Sequence, residues 1–330
     1  MAGCWGAGSR AAGSVAGDTT PARPPLQLTP PAAVVQQSGA PTATQFQNVD
    51  FHVAPGIVLR IRQLRGQMAS KQSGQPVIFD DKRSFILKID TADVALTMES
   101  LGHLMNEHVF GYDGAPLRTL RFATRNGQLT MTGVLHKVVD IPFQITATPT
   151  ITDSGMIRIH PTAIRIFDVD GVGLMRALGI TLSKLLDLRR AQGVTVSGND
   201  LILDPLRILP PPSIQGRVVA VRVAGNELVQ TFGAVAGRRP VALSPPDSAA
   251  PNYMFFHGGT LRFGKLFMVQ ADMQIVDEDA RDPFDFSIDE YNRQLVAGYS
   301  KNQPDMGLVV FMPDLTKAPP LPHTSAHGSS

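Results

Sequence analysis

Apolar and polar residues alternate along much of the chain, which is the pattern of strands that bury one face. Val49, Phe51 and Val53 alternate in this way, and the alternation resumes after a break at Pro55-Gly56. The same period recurs through 85–89, 121–133, 141–166, 193–205, 217–233 and the block 253–277. The sequence therefore predicts many short strands.

Turn signals between these strands predict hairpins. Asn126-Gly127 is a strong signal for a two-residue turn between antiparallel strands. Similar signals occur at 153–155 (Asp-Ser-Gly), Gly198-Asn199 and Gly225-Asn226.

The period changes to that of a helix from Thr97, a candidate N-cap, where one face carries Leu101, Leu104, Met105 and Val109. Two further helices are predicted, over 171–188 and roughly over 287–296. Hairpins with a few helices, without strand-helix-strand alternation, indicate the α+β class, in which amphipathic helices cover an apolar sheet face.

Composition and periodicity divide the chain into five parts. The first and last are rich in small and polar residues without apolar periodicity. The parts are a disordered leader or tether (1–45), a hairpin-rich domain (46–232), a linker or loop (233–252), a strand-helix-strand extension that packs on the sheet (253–315) and a disordered tail (316–330).

Composition excludes several classes of function. The chain has 330 residues, a net charge of +2 and 6% aromatic residues, with no basic stripe of the kind that binds nucleic acid. No apolar run is long enough to span a membrane as a helix.

The single cysteine, Cys4, excludes an intrachain disulfide framework and a cysteine zinc site. Cys4 follows Met1-Ala2-Gly3, as in a bacterial lipoprotein cleavage box; it is either a lipidation site or an accidental match, because the other signal regions are missing.

The stretch LGHLMNEHVF, residues 101–110, has the residue types of a zinc site. His103 and His108 are five residues apart, which places them about 140° apart around a helix, whereas zinc motifs use a spacing of four. His103 falls in line with Glu99 and Glu107 on a polar stripe, and His108 falls on the apolar stripe. We therefore expect no metal here.

Other chemical motifs are weak. The acidic run 277–285 offers oxygen ligands for calcium but lacks EF-hand spacing, and a solvated loop followed by a helix N-terminus explains it better. There is no G-x-S-x-G elbow and no Gly-rich phosphate loop. The sequence predicts a protein that is not an enzyme and needs no cofactor.

The order of elements over residues 85–232 resembles the LmeA-like phospholipid-binding proteins of bacteria, of the tubular lipid-binding (TULIP) superfamily. The matching pieces are the helix TMESLGHLMNEHVF, the hairpins from LRFATRNGQLTMTG to SGMIRIHPT, the helix GLMRALGITLSKLLDL and the segment NDLILDPLRILPPPSIQGRVVAVRVAGNELV. The resemblance implies a long curved antiparallel sheet wrapped around one or two amphipathic helices. It also implies a groove for the acyl chains of a phospholipid or similar lipid, and a place in the bacterial periplasm or envelope.

Inward-facing apolar positions supply the expected groove, although an ordinary core sheet has the same pattern. These positions are Leu101, Leu104, Met105, His108, Ile141, Phe143, Ile145, Ile157, Ile159, Leu174, Leu178, Val219, Val221 and Val223. Headgroup contacts are expected from rim cations such as Arg121, Lys137 or Arg158. Four phenylalanines are candidates for contact with a membrane surface, or else pack the C-terminal block onto the sheet: Phe255, Phe256, Phe284 and Phe286.

Three hypotheses follow. The first is non-enzymatic binding or carriage of lipid acyl chains. The alternative is a structural or interaction protein with a filled core, whose C-terminal block docks a partner. The third, a metal-dependent hydrolase, needs an inward cluster of His, Asp and Glu from distant segments.

Overall fold

The computed structural model describes residues 39–137, 139–166, 169–170, 172, 181–234, 243–304 and 307–320. These residues are mostly β-strand and form two large, mainly antiparallel sheets, neither of which closes on itself. The sheet-dominated part of the predicted fold is confirmed, while the described helices are few and short.

The strands in chain order are β1 Thr42–Ala54, β2 Ile57–Ser70, β3 Val77–Ile78, β4 Phe85–Thr97, β5 Leu117–Arg125, β6 Gln128–His136, β7 Asp140–Ile151, β8 Ile157–Ile166, β9 Val169–Asp170, β10 Val194–Ser197, β11 Asp200–Leu203, β12 Ser213–Gln215, β13 Val218–Ala224, β14 Glu227–Phe232, β15 Tyr253–Phe263, β16 Leu266–Asp277, β17 Phe284–Ser287, β18 Tyr299–Asn302 and β19 Leu308–Met312. The helices are α1 Met98–His103, a π-helix Leu104–Val109, α2 Leu182–Leu185 and α3 Tyr291–Ala297.

The larger sheet has the order β13-β14-β4-β2-β1-β15-β16-β19-β18, with β12, β17 and β3 added by short parallel pairings. The smaller sheet has the order β10-β11-β8-β7-β6-β5, with β9 beside β8. The chain passes to the smaller sheet after β4, through α1 and the π-helix, and returns between β11 and β12.

The two sheets meet along a seam at β13, which lies against β7. Among the described strands, no backbone ladder joins one sheet to the other. Side chains bridge the seam instead: Arg217 Nη2 donates to the Asp153 carbonyl (2.9 Å), and Thr124 Oγ1 donates to the Gly225 carbonyl (2.7 Å).

The predicted hairpins at 126–127, 198–199 and 225–226 are confirmed by the strand pairing. Asn126 and Gly127 have φ of 52° and 73°, and Arg125 pairs with Gln128 across them. A two-residue turn with both central φ values positive matches the twist of the flanking strands, and Asn-Gly tolerates it best.

The predicted helix after Thr97 is also confirmed, since α1 and the π-helix together cover Met98–Val109. Thr97 Oγ1 accepts a hydrogen bond from the Ser100 N–H (3.1 Å), a cap that contributes about 1 kcal/mol. Most of the helix predicted over 171–188 lies outside the described residues, and α2 accounts for its end. The last predicted helix begins later than expected, because Ser287 belongs to β17.

At both ends of the chain, described residues with regular contacts extend past the predicted domain boundaries. Strand β1 begins at Thr42, not near Phe46, because Thr42 pairs with Met68 and Ala43 pairs with His257. At the other end, Ala318 is buried, its N–H donating to the Asp314 carbonyl. Cys4 lies outside the described residues.

The C-terminal block continues the larger sheet, whereas the sequence predicts that it packs on the sheet. Strand β15 hydrogen-bonds edge-on to β1, with Phe46 opposite Met254. One face of β15 joins the main core through Phe256, and the other face carries Phe255 in a smaller cluster covered by Leu243 and Ala250.

Candidate functional site: an apolar channel between the sheets

A cavity lies where the two sheets and the helix face one another. Its volume is about 50 Å³. We call it the middle cavity, and its walls include Leu96 and Leu228 from the larger sheet, Leu101, Leu104 and Met105 from the helix, and Leu129, Met131, Ile145, Ile157, Ile159 and Leu201 from the smaller sheet. Gln230 is the one polar side chain in its described walls.

Two further cavities adjoin the middle cavity on different sides. The aromatic-end cavity, about 40 Å³ and lined in part by Phe46, Phe51, Phe79 and Phe85, shares Leu96, Leu209 and Gln230 with it. The leucine-end cavity, also about 40 Å³ and lined in part by Leu182, Leu185 and Leu186, shares Leu117, Met131, Ile145 and Leu201. The three cavities therefore lie in a row, which we call the channel.

Strand alternation explains why the walls are aliphatic. In β7, Ile145 and Ala147 are buried against the channel while Gln144 and Thr148 point to the other side. Protein interiors normally leave few voids larger than a water molecule, because wall atoms beside empty space lose their dispersion contacts. At about 50, 40 and 40 Å³ the three cavities exceed the space that one water molecule needs, and their apolar walls favour an apolar occupant.

Seven predicted groove residues line the channel. Leu101, Leu104, Met105, Ile145, Ile157 and Ile159 face the middle cavity, and Phe143 and Ile145 face the leucine-end cavity. His108 and Ile141 are half-buried and are not in these walls. The His108 Nε2 atom is buried and has no hydrogen-bond partner within the described residues. Leu174 and Leu178 lie outside the described residues.

The predicted inward face of β13 is wrong at Val219. Val219 is 48% exposed, whereas its neighbour Val218 is buried. The pairing of β13 with β14 shifts register between Val218 and Ala220, and such an irregularity reverses the alternation that the sequence suggests. Val221 and Val223 pack partly against the core, but they are not in the channel walls.

Of the two alternatives for the four phenylalanines, membrane contact is wrong and burial is confirmed, because Phe255, Phe256, Phe284 and Phe286 are at most 1% exposed. The rings of Phe256 and Phe286 each contact Phe79 in an aromatic cluster within the core. Burial on both faces of β15 explains why consecutive phenylalanines are both hidden.

Two parts of the channel wall were not predicted from the sequence: the proline-rich connector between β11 and β12, and the polar residue Gln230. Leu209, Pro210 and Pro212 line the aromatic-end cavity where the chain returns to the larger sheet. The prolines indicate that this connector is stiff, but they do not indicate where it lies in the fold. Gln230 had a readable signal, because it falls between Leu228 and Phe232 on the inward phase of β14.

Basic side chains surround the outside of the leucine-end cavity. Two surface cavities of about 430 Å³ each share Leu185 with it and are lined by Lys137, Lys184, Arg189 and Arg190. Hydrogen bonds from Arg189 lower the pKa of Asp187 to about 2. The Arg190 guanidinium lies 4.6 Å from the centre of the Tyr112 ring. The polar rim carries more positive than negative charge.

The two candidate metal sites have internal partners. His103 Nδ1 lies 2.6 Å from Glu107 Oε1, on the polar stripe that the sequence predicts. Asp279, Asp282 and Asp314 have oxygens within 4.8 Å of one another, but Lys317 Nζ lies 2.8 Å from Asp279 and 2.6 Å from Asp314. The Lys317 ammonium and the Arg281 guanidinium, which lies 2.6 Å from Asp279, provide the positive charge in this cluster.

Comparison with family models, with curated proteins and with solved structures finds no match to this chain. Among the described helices, none is both long enough and apolar enough to cross a membrane. The geometry of the channel is therefore the main guide to the function of this protein.

Proposed function

We propose that this protein binds or carries the acyl chains of a phospholipid-like lipid without catalysing a reaction. The observation that carries the proposal is the row of three adjoining cavities with aliphatic walls between the two sheets. Each buried methylene contributes about 0.8 kcal/mol, offset in part by the cost of ordering the chain. A slender apolar ligand gains most from a row of narrow cavities.

The surroundings of the leucine-end cavity support a lipid with a phosphate headgroup. Lys137, Arg189 and Arg190 line the surface cavities beside it, while its interior walls are apolar. Basic side chains at the end of an apolar channel suit an anionic headgroup whose tails lie inside.

The order of elements that resembles the LmeA-like proteins supports the same proposal, including a curved sheet around a helix and a place in the bacterial envelope. The alternative, a structural or interaction protein, requires an interior filled by its own side chains. The cavities favour lipid binding over that alternative.

Mass spectrometry of lipids extracted from the natively purified protein tests the proposal. We expect a co-purifying lipid in the wild type, less in Ile145→Trp, and the wild-type amount in Val219→Trp. Ile145 lines two of the cavities, while Val219 is exposed, so the pair separates channel blocking from the general effect of a tryptophan. A wild-type protein that is lipid-free and takes up no fluorescent fatty acid contradicts the proposal.

A further inference from the structure

Gln230 is a buried polar residue at the junction of two apolar cavities. It lies on β14, paired with Val221 on one side and with Val94 on the other. Its side chain is 5% exposed and lines both the middle and the aromatic-end cavity. The amide therefore faces the channel partway along its length.

The side-chain amide of Gln230 has no hydrogen-bond partner among the described residues, and neither of its polar atoms is fully enclosed by protein. Two other buried glutamines, Gln274 and Gln294, have partners for both polar atoms, whereas the buried Gln45 Oε1 also lacks a partner among the described residues. Gln274 exchanges two hydrogen bonds with the Asp247 backbone, and Gln294 bonds to backbone groups of Asp285, Ser287 and Pro313. Since buried amides are normally paired, Gln230 lacks a partner that the channel must supply.

A single trapped water is a poor partner for this amide. Buried waters make about three hydrogen bonds. The other side chains in the described walls of the middle cavity are apolar, so a water there would have one side-chain partner. A ligand oxygen carried on an apolar body needs only the amide.

We propose that Gln230 hydrogen-bonds an oxygen near the middle of the bound lipid, with an apolar arm in the cavity on each side. This inference rests on the proposed function and specifies the ligand class: an acyl ester, or another long chain with an internal oxygen. The Gln230 Nε2 group donates to an ester carbonyl, and the amide also accepts from a hydroxyl. A plain hydrocarbon leaves the amide unpaired.

Displacement of a fluorescent fatty acid from the delipidated full chain tests this assignment. The competitors are lauryl laurate, a mid-chain secondary alcohol and an n-alkane, all of matched length. We expect the wild type to prefer the ester and the alcohol over the alkane by roughly fivefold or more, the usual effect of one buried hydrogen bond. Gln230→Met keeps the length of the side chain without the amide and should remove this preference. Gln63→Met, at an exposed position on β2, should retain it.

The outcomes separate the two proposals. If the wild type binds none of the probes, the channel is not a lipid site. If the wild type binds all three equally and Gln230→Met does the same, lipid binding stands and the role of Gln230 is refuted. Should Gln230→Met fail to fold, as judged by circular dichroism, the wild-type preference among the probes decides alone.

Discussion

Filling the middle cavity from within its wall distinguishes an open channel from a packed core. Ala147 on β7 is 1% exposed and lines this cavity, so Ala147→Leu directs additional apolar atoms into its space. At about 0.8 kcal/mol per methylene-sized group, less side-chain entropy, the delipidated protein should gain roughly 1–2 kcal/mol of unfolding free energy. At about 2–4 °C per kcal/mol, Tm should rise by several degrees.

Thermal unfolding of the delipidated proteins, followed by circular dichroism, measures this effect. Ala95→Leu is the matched control, because Ala95 is fully buried in β4 outside the channel walls. Overpacking there should lower stability by about 1–3 kcal/mol. The lipid affinity of Ala147→Leu should fall even as its Tm rises. If both variants are destabilised alike, the cavity is a packed core and the reasoning is wrong.

Three further predictions concern the ligand, the aromatic cluster and pH. Affinity for saturated fatty acids, measured by probe displacement, should rise about fourfold per methylene until the channel is full, and a flat series contradicts apolar burial. Phe256→Ala should lower stability in urea unfolding by about 3–5 kcal/mol without altering binding to vesicles, since the ring is wholly buried. Burial raises the pKa of Asp277 to about 6 from 3.8, so the folded state holds that proton more tightly than the unfolded chain. The free energy of unfolding therefore includes a contribution that is present below about pH 4 and is lost as the pH rises to about 6. Asp277→Asn should remove up to about 3 kcal/mol of this decline. If the variant keeps the pH dependence of the wild type, the role of Asp277 is refuted.

Local signals predicted the elements that depend on neighbouring residues. The cap at Thr97 and the turn at Asn126-Gly127 are formed within a few residues, so their chemistry is readable in the sequence. The helical period predicts that Leu101, Leu104 and Met105 share one apolar face, and these residues line the middle cavity, whereas the groove itself was implied only by the resemblance.

Long-range pairing was not readable. Phe46 and Met254 lie opposite one another although about two hundred residues separate them, and no local pattern specifies which strand joins the edge of β1. The same pairing explains the mistaken assignment of Phe255 and Phe256 to a membrane surface, because both faces of their strand are covered only after the sheet has formed. The inward direction predicted for Val219 is wrong because of a local feature, since one register shift in β13 turns its side chain outward.

The seam at β13 has a mechanical consequence. Within each sheet, every strand is tied to its neighbours by rows of backbone hydrogen bonds, whereas Arg217 and Thr124 bridge the seam through single side-chain bonds. Parting the sheets along this line would break fewer backbone hydrogen bonds than peeling a strand away from its sheet, but it would expose the one apolar core to which both sheets contribute. Buried side chains, rather than a backbone ladder, therefore hold the two sheets to each other.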